Sequence, residues 1–511
     1  MPGRLLESRH VHGPLEIEAD VAICGSGAGG AVMAAELAEG GLKVVVLEEG
    51  SYHPTAEISA NAPEMVRKFY RDAGTSVIVG KPNVIFAEGR CVGGSTVING
   101  GMCWRTPERV LRRWHLELGL RGFSAADTAG YFERVEKSIN VARQDPDTIS
   151  AHDMALKKGA DRLGYRTQWN TRNQLHCTGT NNCAFGCPSG GKQAMTVSYL
   201  PRAMSRGATI LADTKVSSIW IEKGTAVGFR AVAIDPVTGR PRFPVNVRAR
   251  TTVLAAGATQ TPVILQRQGI CNSSGQVGLN FTCHPNAKVV AVMDRDIYGW
   301  KGVHQAVQVH EFLDEGLIFA AVFVPPALLA MSMPFVGDAM LEFLENINRM
   351  VISGVLVEDT TTGRVRPGPM GSALMTYQID PAGFGRVLRG MALCSEMLFA
   401  SGARRVYLPI HGLPWIDSAD DINRIYQTGI RPEDVELLTV HAMSTCRMAA
   451  DPRWGVVGPT GETWDVKNLF IADGSIVPTP VGLNPQETIM MLVTRQADFI
   501  LTEWGKLRRA A

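Results

Sequence analysis

The chain has no strong excess of either charge, with 51 Lys and Arg against 49 Asp and Glu. Binding the phosphates of a nucleic acid needs a basic surface, so nucleic acid is excluded as an expected partner. No stretch of ~18 charge-free apolar residues is present, as a membrane-crossing helix would need. The N-terminal MPGRLLESRHVHGPLEIEAD lacks the apolar run of a signal peptide, and the expected location is the cytoplasm. Ten cysteines in 511 residues are too sparse for a disulfide-framed secreted scaffold. Histidine is missing between His53 and His115.

Apolar residues and glycine are plentiful. An apolar content of 45% lets a chain of this length bury the cores of about two domains. Glycine numbers 53, above the ~7% norm, and much of it falls in short clusters that suggest backbone lying close to a ligand.

One such cluster opens a dinucleotide site. Asp20-Val-Ala-Ile-Cys24 is a short run of β-formers, followed at once by Gly25-Ser26-Gly27-Ala-Gly-Gly30. A buried parallel strand entering a tight turn is the expectation. Ala31–Glu39 then offers good helix formers, and Gly40-Gly41 stops the helix. A second strand, Lys43–Leu47, delivers Glu48. This makes a complete βαβ unit. Gly25 allows the turn, Gly27 lets the backbone reach a pyrophosphate at the helix N-terminus, and Gly30 lets helix pack on strand. Glu48 follows Gly30 at close to the ~20-residue offset from which a carboxylate accepts hydrogen bonds from ribose hydroxyls.

The βαβ unit alone does not separate FAD from NAD. A second glycine segment, Gly89-Arg-Cys-Val-Gly93-Gly94-Ser95-Thr-Val-Ile-Asn99-Gly-Gly101, offers further backbone N–H groups for a phosphate or the isoalloxazine. Thr252–Pro262 is another strand running into a glycine turn, with a helical Val263–Gln268 behind it, and Asn468–Ser475 is a strand ending in Asp473 and Gly474.

In order and wording these segments, together with His441-Ala-Met-Ser-Thr-Cys-Arg-Met and the Gly482-Leu-Asn484-Pro485 stretch, resemble the glucose–methanol–choline (GMC) oxidoreductases from about residue 20 to 500. The resemblance implies an α/β fold: a Rossmann-type FAD-binding domain with an inserted α+β substrate domain, an antiparallel sheet with helices. The FAD part would comprise 1–140, 190–290 and 436–511. The substrate part, with a Cys-rich segment, would comprise 141–189 and 291–435. Gly93, Ser95 and Asn99 would join Gly25, Ser26, Gly27, Gly30 and Glu48 around FAD, Val216 would meet the adenine, and Asp473, Gly474 and Pro485 would lie along the flavin end. Some members attach FAD through a His near the second glycine segment. None is available there, so the flavin is expected to be noncovalent.

Alcohol oxidation by a flavin needs a hydride acceptor and a base for the hydroxyl proton. Histidine is the usual base, being mostly neutral at pH 7 and able to accept. His441 opens the segment that resembles the family's catalytic one, and Asn484 matches its second catalytic position. The amide would orient the alcohol and stabilise alkoxide-like charge. A flavin-containing lyase of the hydroxynitrile-lyase type, sharing the fold without net redox, is the alternative function.

Cys177, Cys183 and Cys187 form a C-x5-C-x3-C-P pattern, which suits a [3Fe–4S] cluster as in bacterial FAD-dependent glucose dehydrogenases of the family. Clusterless long-chain alcohol and sterol oxidoreductases carry a similar segment before Gly-Gly-Lys-Gln, as in Gly190–Gln193 here, with the thiols then acting as small apolar groups. Phe323–Phe335 is apolar and proline-rich, and Ala339–Met350 reads as an amphipathic helix. If these line the pocket, the substrate is a small hydrophobic alcohol, aliphatic, steroidal or aryl. Oxygen, a quinone or a cytochrome would reoxidise the flavin.

Overall fold

The structure is a computed structural model describing residues 3–427 and 429–510. Among these residues two large sheets carry the chain. The first has eight strands. Its parallel centre runs Arg4–Leu6, Thr209–Leu211, Val44–Leu47, Leu15–Cys24 and Pro241–Leu254, with Leu469–Ile471 pairing on the last of these. Thr225–Ile234 and Thr214–Glu222 continue it antiparallel.

Burial explains the residue choice along these strands. In Leu15–Cys24 the exposed Glu16 and Glu18 alternate with half-buried neighbours, and Val21–Cys24 is then buried throughout. Val21, Ile23, Val44 and Val46 pack on one side, with Ala31, Leu37, Val493 and Ala497 from helices Ala28–Glu39 and Gln486–Ala510. Ala22, Cys24, Val45 and Leu47 join a separate core on the other side. A sheet covered on both faces calls for continuous apolar runs, as the sequence has there.

The second sheet has twelve strands and is mostly antiparallel. Its order runs Arg364–Pro367, Ala373–Gln378, Ser76–Lys81, Val84–Phe86, Leu437–Thr439, Asn286–Met293, Met350–Val357, Leu317–Ala321, Val307–Val309 and Thr167–Trp169. Thus 76–86 and 437–439 hydrogen-bond into the same sheet as 286–378, although sequence places them with the FAD segments. Helix Pro381–Ser401 covers one face through Val387, Met391 and Met397, against Ala287, Val289 and Ala291. Among the described residues, no helix is long and apolar enough to cross a membrane.

The apolar stretch after Phe323 is more regular than expected. It forms helix Pro326–Met331, followed by helix Asp338–Glu345 and a short 3-10 turn, Ile347–Arg349. Strand Met350–Val357 begins where the amphipathic helix was expected to end. Met350 is buried with Leu329, Phe335 and Phe343 against Val290, Val292 and Ile352 on the opposite face of the second sheet, and strand hydrogen bonding there overrides the helical pattern.

Candidate active site

A cavity of about 900 Å3 lies between the two sheets, within the ~300–1,000 Å3 range of small-molecule and cofactor sites. Gly25, Ser26, Gly27, Glu48, Ser95, Asn99, Val216, His441, Asp473, Gly474, Asn484 and Pro485 all line it. The chain thus brings together residues more than 450 positions apart.

At the first-sheet end the turn after Leu15–Cys24 delivers the strand to a helix N-terminus. Gly25 sits at φ 103°, a left-handed conformation that favours glycine. Gly27 caps helix Ala28–Glu39 with no side-chain hydrogen bond, so the helix's first amides are left for an anion. Glu48 is buried and fully engaged in the turn. Its Oε2 accepts from the Ser26 amide at 2.9 Å and the Ser26 hydroxyl at 2.7 Å, and its Oε1 accepts from the Gly50 amide at 2.8 Å. Burial pushes the Glu48 carboxyl up, against the pull of those donors. Oε1 retains one lone pair for a ribose hydroxyl in this arrangement.

Gly30 and Gly93 stand behind the lining. A Cβ on Gly30 would fall 2.0 Å from the Gly25 carbonyl oxygen, so helix and strand touch there. The Gly93 amide donates to Ser26 Oγ at 3.0 Å, which ties the second glycine segment to the first. A Cβ on Gly94 would lie 2.9 Å from Gly27 Cα. Asp473 serves as a similar tie. Its Oδ2 accepts from the Gly257 amide at 2.9 Å and from Thr261 Oγ1 at 2.5 Å, and its Oδ1 accepts from the Ser475 amide at 2.8 Å. The cradle of bare backbone, an uncapped helix start and a buried acid fits a dinucleotide.

At the second-sheet end stand the groups that could meet an alcohol. Asn484 Nδ2 lies 3.4 Å from His441 Nε2. His441 Nδ1 in turn faces His284 Nδ1 at 3.1 Å, and the Gly482 amide donates to His284 Nε2 at 3.0 Å. A backbone N–H is a fixed donor, so His284 carries its proton on Nδ1 and gives it to His441 Nδ1. Burial, with Arg109 nearby, holds His284 down to about 3. Burial, then His284 and Lys288, pushes His441 well below the usual imidazole range. Both rings are neutral at pH 7.

Three polar residues of this region escaped the sequence reading: His284, Asn286 and Lys288. They follow one another at spacing two around the start of strand Asn286–Met293, and all three line the cavity. The signal was available as polar residues alternating through an otherwise apolar run.

The three cysteines are not brought together as ligands. Among the described residues no group of three His, Cys, Asp or Glu is placed to hold a metal ion. Cys183 is buried, and its Sγ accepts from Arg172 at 3.2 Å. Cys187 Sγ accepts from the Lys192 amide at 3.3 Å, and Cys177 is half-buried. The iron–sulfur expectation therefore finds no support in the geometry, because other contacts organise the loop. Lys192 Nζ donates to the carbonyls of Val97, Asn99 and Cys183, each at 2.7 Å. The Cys-rich segment is thereby pinned to the second glycine segment by a buried ammonium.

Comparison with known proteins agrees with this layout. The GMC oxidoreductase family profiles match residues 66–286 and 363–492, and an FAD binding domain profile matches 20–62. The chain is 33% identical over 499 residues to an uncharacterized GMC-type oxidoreductase of Sinorhizobium fredii, covering 97% of each. It is 34% identical over 488 residues to one of Mycobacterium tuberculosis, covering 95% of this chain and 76% of the relative. A long-chain-alcohol oxidase of Arabidopsis thaliana is 26% identical over 513 residues, covering 94% of this chain and 67% of the relative. The fold is shared with pyridoxine 4-oxidase from Mesorbium loti, at TM-score 0.70 and 18% identity over 94% of this chain and 98% of that one. Matching profiles at both ends and relatives of this identity along nearly its whole length show that the chain belongs to the GMC oxidoreductase family.

Proposed function

We propose that the protein oxidises a hydrophobic primary or secondary alcohol to an aldehyde or ketone, using noncovalently held FAD. The observation that carries this is the meeting of His441 and Asn484 in one cavity with the bare-backbone cradle of the dinucleotide turn. FAD, when bound, supplies the acceptor for the hydride that leaves the alcohol carbon. The segments 1–140, 190–290 and 436–511 contain the residues that hold the cofactor and also His441 and Asn484, and 141–189 and 291–435 supply most of the walls around the alcohol. Asn484 Nδ2 donates to the alcohol oxygen and stabilises alkoxide-like charge as the proton leaves. In the tautomer that carries its own proton on Nδ1, His441 receives the hydroxyl proton at Nε2. Ile318, Ala320, Phe323, Val324, Leu328 and Leu356 give that end of the cavity its apolar walls. Oxygen is the acceptor we propose for the second half-reaction, a reading supported by the long-chain-alcohol oxidase among the relatives.

The His284 contact favours a second reading of His441. With Nδ1 accepting from His284, a neutral His441 keeps its own proton on Nε2 and meets the alcohol oxygen as a donor. To act as base it must first move that proton to Nδ1, which would turn the His284 Nε2–H against the Gly482 amide. Anaerobic mixing with long-chain alcohols separates the two readings. A base predicts that His441→Ala and His441→Gln both slow flavin reduction by about 10²–10⁴. A donor predicts that His441→Gln, whose amide still donates, keeps the rate within about tenfold while His441→Ala does not. Wild-type flavin left oxidised by every alcohol, or flavin retained in the acid pellet, would refute the function or the noncovalent attachment respectively.

A further inference from the structure

The substrate half of the cavity holds a cation without a counter-ion. Strands Asn286–Met293, Met350–Val357 and Leu317–Ala321 lie side by side in register, pairing Lys288 with Gly354 and Gly354 with Ala320. Residues two apart on a strand share a face, so Asn286 and Lys288 look into the cavity together with Gly354, Leu356, Ile318 and Ala320. Lys288 is only 7% exposed. Its Nζ donates to Asn286 Oδ1 at 2.6 Å, and among the described residues no carboxylate pairs with it.

A buried ammonium with one neutral acceptor is poorly compensated. Burial pushes Lys288 down to about 8, which expresses that lack. The surroundings nevertheless keep space for it. A Cβ on Gly354 would lie 3.1 Å from Lys288 Nζ and 3.2 Å from Asn286 Oδ1, so any larger residue there would crowd the pair.

We propose that Lys288 is a specificity-determining residue that takes a carboxylate carried by the substrate, making the preferred alcohol a hydroxy acid rather than a plain hydrocarbon alcohol. The proposal rests on reading this cavity as the alcohol site and narrows its substrate class. The hydroxyl sits at His441 and Asn484, the carboxylate at Lys288 with Asn286 beside it, and the apolar walls take the carbons between. Lys288 Nζ is turned back toward Asn286, and Lys288 is near enough to His441 for its charge to lower that imidazole. The spacer is therefore of medium length, and a hexanoate chain is a suitable probe.

The test uses the full-length flavoprotein with three ligands: hexanoate, hexanol and ω-hydroxyhexanoate. Hexanoate cannot be oxidised at a hydroxyl, so its binding is read from the shift it causes in the flavin absorbance and does not depend on turnover. Wild type is expected to bind it at least about tenfold more tightly than Lys288→Met, and Lys288→Arg is expected to recover part of the loss. In anaerobic reduction, wild type should favour ω-hydroxyhexanoate over hexanol by at least about tenfold, and Lys288→Met should abolish or invert that preference. Gly354→Ala, which crowds the ammonium without removing it, should weaken hexanoate binding in the same direction and serves if Lys288→Met does not fold. Equal hexanoate binding by wild type and the variants, or an unchanged preference, would overturn the proposal. Failure of both alcohols to reduce the flavin while hexanoate still binds through Lys288 would overturn the alcohol reading and leave the carboxylate site standing.

Discussion

Asp359 gives a quantitative test of how the site region is held. It follows strand Met350–Val357 and is buried, with 5% exposure. Its Oδ2 accepts from the Cys283 amide at 2.6 Å, one residue before His284, whereas Oδ1 has no partner. Burial pushes its pKa up to about 8, the Cys283 and His284 amides oppose this, and the Glu358 carboxylate adds to it. In the unfolded chain the value is ~3.9. The folded state thus binds this proton more tightly, so stability falls as pH rises from ~3.9 and the loss is complete once pH has passed about 8. Between pH 7 and pH 9 one such group loses about 1.4 kcal/mol by linkage. At ~2.1 cal/mol/K per residue, this amounts to about 1 °C in Tm for a chain of this length. Lys192 and Lys288, both pushed down to about 8 by burial, change stability in the opposite direction over the same interval. The wild-type curve alone therefore mixes the terms. Asp359→Asn keeps the acceptor for Cys283 and cannot ionise, so the difference between variant and wild type isolates the carboxyl. Calorimetry at pH 7 and pH 9 should show the variant gaining about 1 °C relative to wild type. An identical pH response in both proteins would mean that Asp359 is already ionised at neutral pH and that the buried-acid argument is wrong.

Three further outcomes follow from the contacts. Gly29→Ala places a Cβ 1.8 Å from the Ala472 carbonyl oxygen, a backbone clash expected to cost about 1–3 kcal/mol and to lower FAD content per chain, measured by absorbance ratio. Lys192→Met removes the donor shared by the Val97, Asn99 and Cys183 carbonyls. It should destabilise the holoenzyme by about 3 kcal/mol or more, visible in chemical unfolding, because three buried acceptors lose a charged partner. Cys177→Ser should leave flavin reduction and its absorbance spectrum unchanged, since among the described residues the thiols form no group placed to hold a metal ion. A lost absorbance band would instead revive the cluster.

The dinucleotide turn was legible because its chemistry is local. Strand, glycines, helix and Glu48 fall within one short stretch, and the sequence spacing is also the spatial arrangement. Strand Leu15–Cys24 begins five residues earlier than the Asp20 expected from the apolar run. Its first half is exposed on alternate residues, so apolarity alone marks only the buried end. Helix Gly257–Gln268 likewise starts six residues before Val263, carrying Pro262 within it. Thr259 and Thr261 at its start are buried and hydrogen-bonded to Glu88 and Asp473, tertiary contacts that no local propensity announces.

The alternation through His284, Asn286 and Lys288 shows where the remaining information lay and why it went unread. A polar residue every second position in an apolar strand means one face is offered to something other than hydrocarbon. The sequence does not say what. His284 acquires its role only because the Gly482 amide, 198 residues later, fixes which ring nitrogen carries the proton, and because that proton points at His441. His441 was recognised by its motif, but its protonation is set by a residue at the start of the neighbouring strand. An imidazole between a fixed donor chain and Asn484 is not free to choose its tautomer, so whether it takes a proton or offers one depends on a backbone amide in the Gly482–Pro485 turn. The same turn supplies Asn484. Moving that turn would therefore change the orientation of the alcohol and the proton state of His441 together, and a variant that shifts one without the other would show that the pair is not coupled.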